Sequence, residues 1–222
     1  MTYFNENFIQ FFKDLAANNE REWFHANKKR YEKEVKIPFE KFVEDLIKAI
    51  HADDKTVDIS PKEAIFRIHR DVRFSKDKTP YKVQVSAIIS SGGKKDKTTP
   101  GVYIQMGPEH LRVYGGIYGA DKDQLYDIRS YIVNNMTAFN KAIKDKEFVK
   151  KYKNILGEKN KIIPKEFKEA AEKQDLLFNK QFYYFGEMSP ESVMDNDLLD
   201  KVMAYYHASK PVKKFLTKAL VS

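Results

Sequence analysis

Cysteine is absent from this 222-residue chain. That excludes a disulfide framework, a thiolate metal site and a thiol nucleophile. No apolar run approaches the roughly 20 residues needed to cross a bilayer. The stretch Met1–Leu15 also lacks a basic segment followed by an uninterrupted apolar core, so no signal peptide is read. The expectation is a soluble cytoplasmic protein with no membrane association. Neither a Walker loop nor a GxGxxG motif occurs, and there is no Gly-x-Ser-x-Gly elbow. The five histidines, His25, His51, His69, His110 and His207, show no metal-ligand spacing. The reading therefore assigns no metal, no cofactor and no catalytic residue. Tryptophan is confined to Trp23.

What the chain does contain is apolar and aromatic enough to pack. Hydrophobic residues make up 42% and aromatics 14%, with 13 Tyr and 16 Phe, which argues against disorder. Lysine and arginine outnumber the acidic residues, for a net charge of +8. The excess is unevenly placed. The first fifty residues carry nine basic and nine acidic side chains, whereas Lys62 to Lys82 carries seven basic and three acidic ones. Half the net charge thus sits in 21 residues, and concentrated charge is what gives a basic excess meaning for anionic partners.

The hydrophobic period changes along the chain. Phe8, Phe11, Phe12 and Leu15 form a helical stripe, and Asn19 with Glu22 fits a capping box for a second helix from about Glu20 to Lys36. Pro38 is expected to kink or restart that helix. Phe39, Phe42, Val43, Leu46, Ile47 and Ile50 then give the strongest stripe, before a polar loop from His51 to Pro61. In the middle, Ala64–Val72, Val83–Ile89, Gly101–Met106 and Leu111–Tyr118 alternate as strands, the last two joined by Gly107-Pro108. Gly92–Lys97 reads as a flexible basic connection, and Gly115-Gly116 as a bulge or a close backbone approach. Helical patterns return at Leu125–Ile143, Pro164–Lys173, Leu198–Tyr206 and Val212–Leu220, with Leu176–Phe185 a strand or a buried aromatic segment. The expected fold is a single α+β domain over residues 1–222. Its antiparallel sheet has at least four strands, packed by the N-terminal and C-terminal helices.

The chemistry-bearing stretch is Arg67 to Lys82. On a strand, Arg67, His69, Asp71 and Arg73 would project from one face and Arg70 from the other. Arginine grips carboxylate or phosphate through paired hydrogen bonds, and Lys76, Lys78 and Lys82 follow on a loop that can close over such a ligand. Ser75-x-Asp77 with Thr79-Pro80-Tyr81 is equally good turn chemistry. A purely structural ion-pair network is the competing explanation. The aromatic segment Asn19–Asn27 adds adjacent Trp23 and Phe24, of which Trp23 is expected in the core.

Asn-x-Arg-Glu-Trp-Phe-x-x-Asn at Asn19–Asn27 and Arg-Asp-x-Arg-Phe-Ser-x-Asp-Lys-x-Pro-Tyr-Lys at Arg70–Lys82 resemble the family known as domain of unknown function 2461. The likeness continues through Gly101–Tyr118 and covers most of the chain. It implies a stand-alone domain of about this size, and supplies no substrate, cofactor or catalytic residue.

Three functions compete. The first is a pocket for a small phosphate- or carboxylate-bearing ligand, gripped by Arg67, Arg70, Arg73, Lys78 and Lys82 and walled by Tyr81. Asp71, Asp77 and Arg21 would support it, and His69, Asp71 and Asp77 are the only nearby candidates for proton transfer. The second is a nucleic-acid or protein-binding surface using the same cations with Lys94, Lys95 and Lys97, with Tyr103, Tyr114 and Tyr118 as stacking residues for single strands. The third is scaffolding alone. The oligomeric state is left open.

Overall fold

The computed structural model describes residues 2–96 and 98–221, and divides them into two compact units. The first comprises Met1–Lys94, Tyr103–Val113 and Glu187–Met203; the second comprises Lys95–Val102, Tyr114–Gly186 and Ala204–Ser222. Lys97, placed above on a flexible connection and in the polyanion surface, lies outside the described residues.

In the first unit, α1 (Glu6–Ala17) is capped by the Asn5 side chain and buries Phe8, Phe11, Phe12 and Leu15, the stripe its spacing dictates. Short helices α2 (Arg21–Ala26) and α3 (Lys28–Tyr31) replace the single helix expected to Lys36. The expected cap is also wrong: Glu20 occupies that position, and Asn19 is used elsewhere. A π turn at Glu32–Lys36 leads straight into α4 (Ile37–Asp53), whose first turn holds Pro38. Proline has no N–H to donate and its ring crowds the carbonyl four residues back. A wider turn just before it therefore lets the helical path continue. The α4 core face consists of the six residues read from the sequence. The helix absorbs His51, so the following loop begins later than expected. It ends at Ser60, which forms a capping box with Glu63 over α5 (Pro61–Ala64).

The sheet is four-stranded and antiparallel, in the order β1 (Val85–Ile89), β2 (Val102–Met106), β3 (Leu111–Ile117) and β4 (Phe182–Met188). The α+β class and the four-stranded count hold, but the membership changes. Ala64–Val72 is not a regular strand. It makes only isolated bridges, Ile65 to Ala87 and His69 to Tyr81. Phe66 N donates to Ser86 O at 3.0 Å, and Lys82 N to Ile68 O at 2.9 Å. Between the two bridges three residues on one side thus face five on the other, so Val83 and Gln84 bulge from the ladder. The fourth strand is instead β4, at the opposite edge beside β3, the segment the sequence left open between strand and buried aromatic stretch. The loop at Gly92 is also less free than expected. Gly93–Lys95 forms a 3-10 turn, and the Lys94 ammonium donates to the backbone carbonyls of Lys62 at 2.5 Å and Ile65 at 2.9 Å.

In the second unit, α6 (Lys122–Asn134) begins at an Asp121/Gln124 capping box. It is followed by α7 (Met136–Ile143), α8 (Lys146–Tyr152) and α9 (Lys168–Lys173). Phe148, Tyr152 and Tyr184 pack edge to face in its core. The two C-terminal helices expected around Pro211 are one, α10 (Leu198–Ala219), which carries the proline in its interior. Buried residues on both sides of it, including Tyr206, Val212 and Leu216, stabilise the helix against one lost backbone hydrogen bond.

Candidate functional site

The Arg67–Lys82 segment crosses from the irregular ladder into a loop whose cations are largely satisfied by their own neighbours. Arg70 donates to the Asp77 carboxylate and to the Thr79 hydroxyl. The Asp77 carboxylate also accepts from the Thr79 amide at 3.0 Å. That amide first, then the Arg70 guanidinium, holds Asp77 down to about 2. Arg73 closes a two-bond fork on Asp71, at 2.9 Å and 2.7 Å, and this contact above all holds Asp71 down to about 2. Lys78 donates to Val72 O at 3.0 Å. At neutral pH the two carboxylates are therefore anionic partners of arginine and weak proton acceptors.

Lys82 is different. It is half-buried beside the Phe66 ring, 5.6 Å from its centroid, and among the described residues it has no carboxylate partner. Burial pushes its ammonium pKa down, and the nearby charge of Arg67 pushes it further the same way. Arg67 is exposed and forms no close ion pair among the described residues, although its charge acts on Asp71. Lys82 borders a recess of about 400 Å³ lined also by Asn19, Arg70, Asp77, Thr79, Tyr81 and Gln84. Of the cations expected to grip an anion, Arg70 and Lys82 thus meet at one recess, with Tyr81 in its wall. Arg73 and Lys78 lie on the exposed loop outside that lining, and Arg21 is exposed on α2.

Tyr81, in the recess wall, is held by an aromatic hinge built on Phe24, whereas Trp23 was the residue expected in the core. Phe24, 6% exposed, stacks on Tyr81, 3% exposed, with centroids 4.0 Å apart and planes 16° from parallel. Trp23 is only half-buried, tilted against Phe11 at 5.8 Å. Adjacent helical residues cannot share a face, and the inward face falls to Phe24. Asn19 completes the hinge. Its amide donates to Tyr81 O at 3.0 Å and accepts from Tyr81 N at 3.1 Å, as a paired strand would. Neither Asn19 nor Gln84 was marked as lining a site. Asn19 has an equally good local use as a cap, and only the bulge at Val83–Gln84 turns Gln84 toward the recess.

The family model described as conserved hypothetical protein (DUF2461) matches residues 7–215. The chain belongs to this family. No curated protein and no solved structure matches it. In this DUF2461 chain both motifs that carry the resemblance meet at one place, since Asn19 and Phe24 from the first hold Tyr81 from the second.

Two outcomes follow from this geometry. Asn19→Ala removes both Tyr81 backbone bonds and is expected to cost about 1–3 kcal/mol, because the Tyr81 amide is left without its partner. Urea denaturation reads the loss. Asn19→Asp keeps the acceptor but sets a carboxylate against a carbonyl oxygen, so it restores at most part of it. The second concerns pH. Asp77 sits at about 2 against an ordinary 3.8, so its contribution is complete above roughly pH 4 and fades as pH falls toward 2. The protection of the Thr79 amide, its hydrogen-exchange rate taken against the unstructured rate at the same pH, is expected to fall over that window, and Asp77→Asn to abolish that fall.

Proposed function

We propose that this protein binds a compact anion, phosphate- or carboxylate-bearing, at the Arg70–Lys82 recess, with Arg67 completing the seat. The observation that carries the reading is the uncompensated charge of Lys82. An ammonium held half-buried near a second cation, with no carboxylate in ion-pair contact among the described residues, is destabilised until a negative group arrives. Thr79, Gln84 and Arg70 supply hydrogen-bonding groups around the same space. On this reading the seat centres on Lys82, which lines the recess, and Arg73, which does not, stands outside it.

Thermal unfolding against inorganic phosphate, citrate and nucleoside monophosphates tests this. A ligand at about 100 times its Kd adds roughly 2.7 kcal/mol of stability. Lys82→Met is expected to remove the shift in a folded protein, while Arg73→Ala leaves it in place. An unchanged shift in Lys82→Met, or none with any of these anions, overturns the proposal.

One observation favours the polyanion reading. Phe74 is 96% exposed at the loop tip, with the Arg73 guanidinium 5.8 Å from its ring centroid. An exposed ring beside a cation suits base stacking. If that surface is the functional one, oligonucleotide affinity falls steeply with salt and is lost in Phe74→Ala with Lys82 intact. Lys94 would add only its charge to such a surface, since its ammonium donates to two backbone carbonyls.

A further inference from the structure

The second unit contains a buried arginine that forms no ion pair among the described residues. Arg129, on α6, is 5% exposed. Its Nε donates to Leu177 O at 2.9 Å and its Nη2 to Asn179 O at 3.2 Å. Those bonds occupy two of the five N–H groups of a guanidinium. No carboxylate among the described residues forms an ion pair with it, and burial alone shifts its pKa, downward. Buried charges in folded proteins are ordinarily paired, because removing one from water unpaired costs several kcal/mol. Two backbone carbonyls supply dipoles and leave the net charge uncompensated.

Arg129 borders a recess of about 500 Å³, a volume in the range of small-molecule sites. The other lining is mixed. Ala120, Leu125, Tyr126, Ile162 and Pro164 are apolar or aromatic, and Ile162 is left 81% exposed at the surface. The remaining charges there largely cancel or are engaged. The Asp121 carboxylate accepts from the Gln124 amide at the start of α6, and Lys180 bridges Glu158 at 3.2 Å. Asp123 and Lys122 are exposed neighbours of opposite sign. One buried charge without an ion pair, beside the apolar strip formed by Leu125, Tyr126, Ile162 and Pro164, suits a single negative charge on an apolar body. A guanidinium, planar and forked, matches a carboxylate.

We infer that the recess bordered by Arg129 is a second binding site, which takes a small organic monocarboxylate with its carboxylate on Arg129 and its apolar arm against Leu125, Tyr126 and Ile162. The site is independent of Lys82 and of the anion proposed there.

The test titrates the full-length protein with octanoate and benzoate, with octanamide and inorganic phosphate as comparisons, by calorimetry and thermal unfolding. Octanoate or benzoate is expected to bind and raise the Tm, and octanamide and phosphate to do neither at this site. Ile162→Glu places a like charge at the rim without touching the core, and is expected to weaken octanoate binding about tenfold or more. Arg129→Gln keeps an amide donor for the carbonyls and should abolish it. Lys82→Met is expected to leave octanoate binding unchanged. Failure of both carboxylates to bind the wild type overturns the inference. So does octanamide binding as well as octanoate, or an Ile162→Glu protein that binds octanoate undiminished. Because Ile162 is exposed, that variant decides the matter even if Arg129→Gln fails to fold.

Discussion

Truncating Phe24 to alanine is expected to lower stability by about 4 kcal/mol, within the range for a fully packed phenylalanine. The ring lies between Tyr81, Tyr31, Phe11 and His69. Removing it leaves a void where α2 meets the Arg70–Lys82 segment. The loss should be local in its first consequence. The Arg70 amide bonds Pro80 O and the Lys82 amide bonds Ile68 O, both at 2.9 Å, so both should exchange faster with solvent before global unfolding. Trp23→Ala, which uncovers a half-buried ring, is expected to cost roughly half as much or less. A double-mutant cycle of Phe24 and Tyr81 should return a coupling of about 1 kcal/mol for the stacked pair. A larger loss for Trp23→Ala than for Phe24→Ala in urea denaturation would reverse this assignment. The result also bears on function, because Phe24 touches Tyr81, a wall of the proposed anion recess, without lining it.

Gly116→Ala should be comparably severe, at about 3 kcal/mol or more, for a backbone reason. Gly116 has φ +90°, a conformation that side chains rarely tolerate, and a Cβ there would meet the Phe182 carbonyl of the neighbouring strand. At Gly115 a Cβ would lie 2.5 Å from the Tyr184 ring, which is fully buried. The pair thus lets β3 and β4 approach while Tyr184 lies across the first of them. A loss below about 1 kcal/mol for Gly116→Ala in chemical denaturation would mean that the strand relaxes there and that the close approach is not required.

Some of this was legible in the residues and some was not, for identifiable reasons. The α1 and α4 core faces follow from helical spacing, because burying an apolar stripe leaves one choice of inward side. The Gly115-Gly116 approach was visible since glycine inside a strand has few other uses. The Ala64–Val72 stretch misled because alternation is necessary for a strand but does not supply a partner in register. The bulge at Val83–Gln84 breaks that register. The separate helices expected at Leu198–Tyr206 and Val212–Leu220 failed for the opposite reason: Pro211, a local breaker, is outweighed by burial along both halves of α10.

The site divides the same way. By itself the sequence determined the concentration of positive charge between Lys62 and Lys82, the turn chemistry of Asp77 and Thr79, and the membership of a family. Only the tertiary structure decided which cations are already neutralised. Arg70 and Arg73 find carboxylates seven and two residues away, whereas among the described residues Lys82 and Arg129 form no ion pair. A charge count weighs every lysine and arginine alike. Burial and the position of a counter-ion depend on contacts between distant segments, and these separate a structural cation from one that awaits a ligand.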